Sequence, residues 1–153
     1  MIEAFIAEKG TKEFYAYASI KAIDAEAKKA FGQLAAWEHE HMNYIQYLYQ
    51  AITEDREMLS FEAFKEKVRP ETVEGAIPLG ELREKVEEYS FLDDLGAMTI
   101  ALEIEAKAYN FYKKLSETVD DTNTKEFMKD MMKLEQKHLE FIKSLRFRIA
   151  ETS

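Results

Sequence analysis

The chain has 153 residues, a length that suits one compact domain. With 46% apolar and 33% charged residues it is globular rather than disordered in composition, and its net charge of −9 argues against nucleic acid as a partner, because that affinity comes largely from Lys and Arg. It has no cysteine, which excludes disulfides, a thiol nucleophile and a cysteine-ligated iron centre in this chain, and it has no apolar run of about 18 residues that would span a membrane.

The first residues, Met1-Ile2-Glu3-Ala4, lack a basic stretch leading into an apolar one, so no secretory leader is expected and the expected location is cytoplasmic. With only 5 Gly and 2 Pro the chain has long stretches without breakers, which predicts an all-α protein. The first helix is predicted over Ile2–Ile23 and the second over Ala25–Thr53. Residues 54–90 then form a crossover that holds Pro70, Gly75, Pro78 and Gly80, with short helical patterns at Ser60–Val68 and Leu79–Glu88. A third helix is predicted over Phe91–Thr118, with Ser90 and Asp93 spaced as a capping box. The turn-forming cluster Asp120-Asp121-Thr122-Asn123 separates it from a fourth, predicted over Thr122–Ala150.

The two predicted hairpins are related to each other. At an offset of 97 positions, residues 8–48 align without a gap on residues 105–145. The identical pairs are Glu8/Glu105, Phe14/Phe111, Tyr15/Tyr112, Ser19/Ser116, Asp24/Asp121, Lys28/Lys125, Glu38/Glu135, His41/His138, Ile45/Ile142 and Leu48/Leu145. Unrelated segments of ordinary composition would share about 2 or 3. The identities matter more than their number, because both repeats carry a Glu followed thirty residues later by Glu-x-x-His.

These charged residues lie within apolar stripes. The fourth helix has Met128, Met131, Glu135, His138, Ile142, Leu145 and Ile149 at alternating steps of three and four, the spacing of a helix-bundle seam. The second repeats the pattern with Ala27, Phe31, Leu34, Glu38, His41, Ile45 and Leu48. Glu105 follows Met98 and Leu102 and precedes Tyr112 in the third helix, and Glu8 lies between Phe5 and Tyr15 in the first. Each helix therefore directs a carboxylate towards the core. Burying one ionised carboxylate without compensation costs several kcal/mol, and four near each other would add repulsion. No Lys or Arg falls on the stripes beside them. Two divalent cations would balance the four charges, with His41 and His138 as neutral donors, and Glu-x-x-His puts both side chains on one helix face so that they can reach one ion. Glu8, Glu38, His41, Glu105, Glu135 and His138 are therefore the candidate metal ligands. Six protein ligands for two ions would leave positions open for a small oxidant.

Other residues have plainer readings. His39 has Gln136 as its counterpart in the second repeat and reads as a surface residue, while Tyr15, Tyr112, Met128, Met131 and Met132 read as core filling and Trp37 as a packing residue.

One Glu from each of two helices plus Glu-x-x-His from each of the other two is the ferritin-like di-iron pattern. The stretches Glu8-Lys-Gly-Thr-Lys-Glu-Phe14-Tyr15 with Trp37-Glu38-His-Glu-His41, and Glu105-Ala-Lys-Ala-Tyr-Asn-Phe111-Tyr112 with Leu134-Glu135-Gln-Lys-His138, make the chain resemble the rubrerythrin-like branch of that superfamily. The resemblance implies a single ferritin-like four-helix bundle over residues 1–153, built from two repeated hairpins (residues 2–53 and 91–150). It implies two iron ions as cofactor, with manganese and zinc as alternatives, and an oxidoreductase that reduces hydrogen peroxide or reacts with O2. It also implies a homodimer. Because this chain lacks the cysteine-ligated iron domain of rubrerythrins proper, its electron donor is expected to be a separate molecule. The position where rubrerythrins place a further third-helix glutamate is Ala108 here. Bacterioferritins share the six ligand types but place a haem-binding Met where this chain has His39. The same scaffold also supports ferroxidases, iron-storage proteins and hydroxylases, which stand as the alternative functions.

Overall fold

The computed structural model describes residues 2–54 and 93–152. Among the described residues there are four helices and no strand: α1 (Ile2–Lys21), α2 (Ala25–Thr53), α3 (Asp94–Thr118) and α4 (Thr122–Thr152). The described residues are thus all-α, four helices in two hairpins, as the periodicity predicts. The short helical patterns at 60–68 and 79–88, Ser90 and most of the crossover lie outside the described residues. None of the described helices is long and apolar enough to cross a membrane.

Helix ends follow from specific side chains. Asp24 caps α2, its Oδ1 accepting from the backbone N–H of Glu26 at 2.9 Å and of Ala27 at 3.0 Å. Asp121, its counterpart in the repeat, caps α4 in the same way, with Oδ2 accepting from Thr124 N–H at 2.8 Å and from the Thr124 hydroxyl at 2.7 Å. The match of Asp24 with Asp121 is thereby explained: both satisfy the first unpaired amides of a helix.

Two boundaries differ from the sequence expectation. Helix α3 begins at Asp94 rather than Phe91, because Asp93 is the N-cap and accepts from Gly96 N–H at 2.6 Å. Helix α1 stops at Lys21 rather than Ile23, since the N–H groups of Ile23 and Asp24 turn to the Asp94 carboxylate, at 3.1 Å and 2.8 Å. Helix α4 also continues two residues beyond Ala150, to Thr152.

The described chain divides into two compact units. One includes residues 2–17 and 32–54, and the other includes residues 18–31 and 93–152. In the first unit the core contains Ala4, Phe14, Tyr15, Leu34, Tyr44, Ile45 and Leu48. In the second it contains Ala27, Phe31, Met98, Ala101, Tyr112, Met128, Met131, Ile142 and Leu145. Tyr15 and Tyr112 are buried against the Phe14 and Phe111 rings, at centroid distances of 5.8 and 5.4 Å, which fits their reading as core residues. The seam of α3 uses Ala101, with Leu102 half-buried beside it. Within the second unit, Arg148 of α4 meets Glu26 of α2 through Nη2 at 2.8 Å and Nε at 2.9 Å, an exposed pair that adds little to stability.

Candidate metal centre

In the first unit, α1 carries Glu8 and α2 carries Glu38 and His41 one turn apart. Their side chains converge: His41 Nδ1 lies 3.5 Å from Glu8 Oε2 and 3.5 Å from Glu38 Oε2. All three are buried, with exposures of 3%, 0% and 2%. In the second unit, α3 carries Glu105 and α4 carries Glu135 and His138. His138 Nδ1 lies 3.4 Å from Glu105 Oε1 and 3.7 Å from Glu135 Oε2, and these residues are also buried. The repeat seen in the sequence is therefore a repeat of geometry, with one imidazole nitrogen facing two carboxylates in each unit.

These separations exceed the usual N–H···O distance of about 2.9–3.0 Å. Among the described residues, both oxygens of Glu38, both of Glu135, Glu105 Oε2 and the Nδ1 atoms of His41 and His138 make no hydrogen bond. Such spacing is what a shared metal ion produces. Two donors bonded to one ion at about 2.1 Å, at a tetrahedral angle, lie about 3.4 Å apart. The donor set of carboxylate oxygen and imidazole nitrogen also suits iron, manganese or zinc, and each of Glu38, His41, Glu135 and His138 offers a ligand atom from a buried position. The residues therefore fit the metal that the sequence pattern implies.

Why the chain folds this way locally is clear on α2 and α4. Apolar residues flank each Glu-x-x-His on the same stripe, Leu34 and Ile45 on α2 and Met131 and Ile142 on α4, all fully buried. Burying those neighbours carries the charged pair into the interior with them.

One neighbour corrects the expectation that no Lys or Arg stands on the stripes beside the carboxylates, since Lys12 falls between Glu8 and Tyr15 at helical steps of four and three. Lys12, one turn after Glu8, is half-buried, and its Nζ donates to His39 Nδ1 at 2.9 Å. His39 is itself half-buried rather than a surface residue. Burial lowers the pKa of His39, with the nearby Lys12 charge adding to that and Glu40 opposing it. Burial also lowers the pKa of Lys12, with Glu13 opposing and Lys9 assisting. A neutral imidazole accepting through Nδ1 from Lys12 agrees with the lowered pKa of His39. At Lys12 and His39 the second repeat has Tyr109 and Gln136.

A four-helix, all-α chain with a carboxylate on each helix and two buried Glu-x-x-His pairs belongs to the ferritin-like class of di-metal carboxylate proteins. A family model described as rubrerythrin matches residues 1–146, and the chain belongs to the rubrerythrin family. No match was found among curated proteins or among solved structures.

Proposed function

We propose that this protein is a non-haem di-iron oxidoreductase that reduces hydrogen peroxide to water. The observation that carries this reading is the buried triad of two carboxylates and one imidazole in each unit, in a chain of the rubrerythrin family. In this reading Glu8, Glu38 and His41 hold one iron ion, and Glu105, Glu135 and His138 hold the other. When bound, two iron ions would supply the two electrons that, with two protons, take H2O2 to two molecules of water.

The chain's own residues do the rest. The four carboxylates neutralise two dications in an interior where charge is otherwise costly. His41 and His138, each with Nδ1 facing its carboxylates, would serve as the neutral donors. The apolar neighbours on each stripe exclude bulk water, and three protein donors per ion leave room for a small oxidant. In this reading the electrons come from a donor other than these residues, which hold no cysteine.

The test is to load the protein anaerobically with two Fe(II) per chain and to compare oxidation by H2O2 and by O2 in stopped-flow absorbance. A much faster reaction with peroxide, repeated over many turnovers when a reductant is supplied, is the expected result. Faster reaction with O2 that continues past two iron atoms per chain would replace peroxide reduction by iron oxidation and storage. No reaction with either oxidant would remove the redox function.

A further inference from the structure

The two triads occupy matched positions in the repeat, and so do the apolar residues beside them on α2 and α4. After His41 and His138 the stripe continues with the same residue, Ile45 and Ile142, both buried. Before Glu38 and Glu135 it differs. Leu34 on α2 corresponds to Met131 on α4, and neither has any solvent exposure. Leu and Met are close in volume, so packing alone does not ask for a thioether at this position. Sulfur adds one property that a Leu side chain lacks, since it can be oxidised.

Helix geometry puts that sulfur beside the triad of its own unit. Residues four apart lie about 5–6 Å from each other at Cβ. A helical side chain also leans towards the N-terminus, over the preceding turn, so Glu135 leans over the turn that carries Met131. The triad of Glu105, Glu135 and His138 therefore has a thioether as its apolar neighbour on that side of α4. Two other methionines of this unit, Met98 and Met128, are just as buried. They stand seven residues before Glu105 and Glu135, about 10 Å along their helices. Met132 is half-buried and meets the Ser116 hydroxyl at 3.8 Å. Full burial keeps Met131 from peroxide in bulk water, and its place beside Glu135 puts it in the path of peroxide admitted to the triad.

We propose that Met131 is the group that peroxide oxidises at this centre when no electron donor is at hand, its thioether becoming a sulfoxide. This rests on the function proposed above and adds the fate of peroxide in the donor's absence. The step balances without a further reactant. The O–O bond of H2O2 breaks, one oxygen bonds to the sulfur, and the other leaves as water with both protons, the sulfur supplying the two electrons. Met131 thereby intercepts oxidation that would otherwise fall on His138 or on Tyr112. That buried phenol lies on α3 between Glu105 and Ser116, whose contacts with His138 and Met132 of α4 bracket it. A methionine sulfoxide can be reduced again, so the change is reversible.

The test is to bind two Fe(II) per chain anaerobically, add H2O2 without a reductant, and locate the gained oxygen by peptide mass spectrometry. Met131 should gain one oxygen at least about tenfold more often than Met98 or Met128, which match it in burial but not in closeness to the triad. The preference should vanish in the metal-free protein, and an added electron donor should lower oxidation at Met131. Met131→Leu, a side chain that the first repeat already accommodates at Leu34, should still bind two Fe(II), and the gained oxygen should move to Tyr112 or His138. Equal oxidation of the three methionines, the same Met131 preference without iron, or no new oxidation at Tyr112 or His138 in Met131→Leu would overturn the inference. Those results leave the proposed function standing wherever the iron-loaded protein reduces peroxide with a donor present. An iron-loaded protein that neither consumes peroxide with a donor nor gains oxygen at Met131 would remove both.

Discussion

Glu38 has no solvent exposure and lies 3.5 Å from His41 Nδ1, yet it sits between apolar residues on a helix face built for packing. Its carboxylate is costly to the metal-free protein and useful only when a cation is present. Glu38→Gln keeps the shape and removes the charge. It should lower bound iron below two per chain by elemental analysis, and it should raise the stability of the metal-free protein by about 1 kcal/mol in denaturant titration. Unchanged metal content in that variant would remove Glu38 from the ligand set. Asp121 gives a second residue-level prediction, in which pH is the variable. Hydrogen bonds from the Thr124 hydroxyl and backbone hold its carboxyl below the ordinary value of 3.8. A folded pKa below the unfolded one means that the cap contributes fully above the ordinary carboxyl range. That contribution is lost as pH falls through the lowered value. Asp121→Ala should therefore cost stability at neutral pH and flatten the pH dependence as pH falls through the ordinary carboxyl range and below it, relative to the parent. Parallel curves would show that the cap is not the titrating interaction.

At the scale of the helix, Gly32 stands in the interior of α2 and Gly10 in the interior of α1, both exposed. Among the described residues, a Cβ at either position would meet nothing within 4 Å. Neither glycine is required by a close approach, so each costs helix stability through backbone entropy alone. Gly32→Ala should stabilise the protein by about 0.5–1 kcal/mol, read as a rise in the denaturation midpoint at constant slope. A loss would mean that something outside the described residues covers that face. Helix caps belong to the same scale. Asp24 and Asp121 were visible as a matched pair in the sequence, but their shared role needed the amides of Glu26, Ala27 and Thr124 to be placed.

For the molecule as a whole, the Asp94 carboxylate links elements some seventy residues apart. It accepts from the N–H groups of Ile23 and Asp24 in the turn between α1 and α2, and so ties that turn to the start of α3. Asp94→Ala would leave two amides without this acceptor. It should cost about 1–2 kcal/mol and speed hydrogen exchange at Ile23 and Asp24 specifically. Metal binding acts on the same global equilibrium. A dication held at 100 times its dissociation constant should add about 2.7 kcal/mol of stability, and a chelator should remove it, with the melting temperature tracking metal concentration. A melting temperature indifferent to metal would contradict binding to the folded state.

The described helices, the two hairpins and the two buried triads were legible in the sequence because their signals are local and repeated. A period of three and four places Glu38, His41, Glu135 and His138 on buried stripes whatever the rest of the chain does, and the offset between repeats points to Glu8 and Glu105. The start of α3 was placed early because Asp93 caps better than the residues before it, a difference of three positions that propensity alone does not resolve. The tertiary structure decided what depends on the register of one helix against another. It set the 3.5 Å approach of Glu8 to His41, the reach of Asp94 to the first turn, and the contact of Lys12 with His39. Those partners lie 27 to 71 residues apart, and no local pattern encodes the distance between them. Helix periodicity fixes which face of a helix is buried, and only packing fixes which residues of two such faces meet.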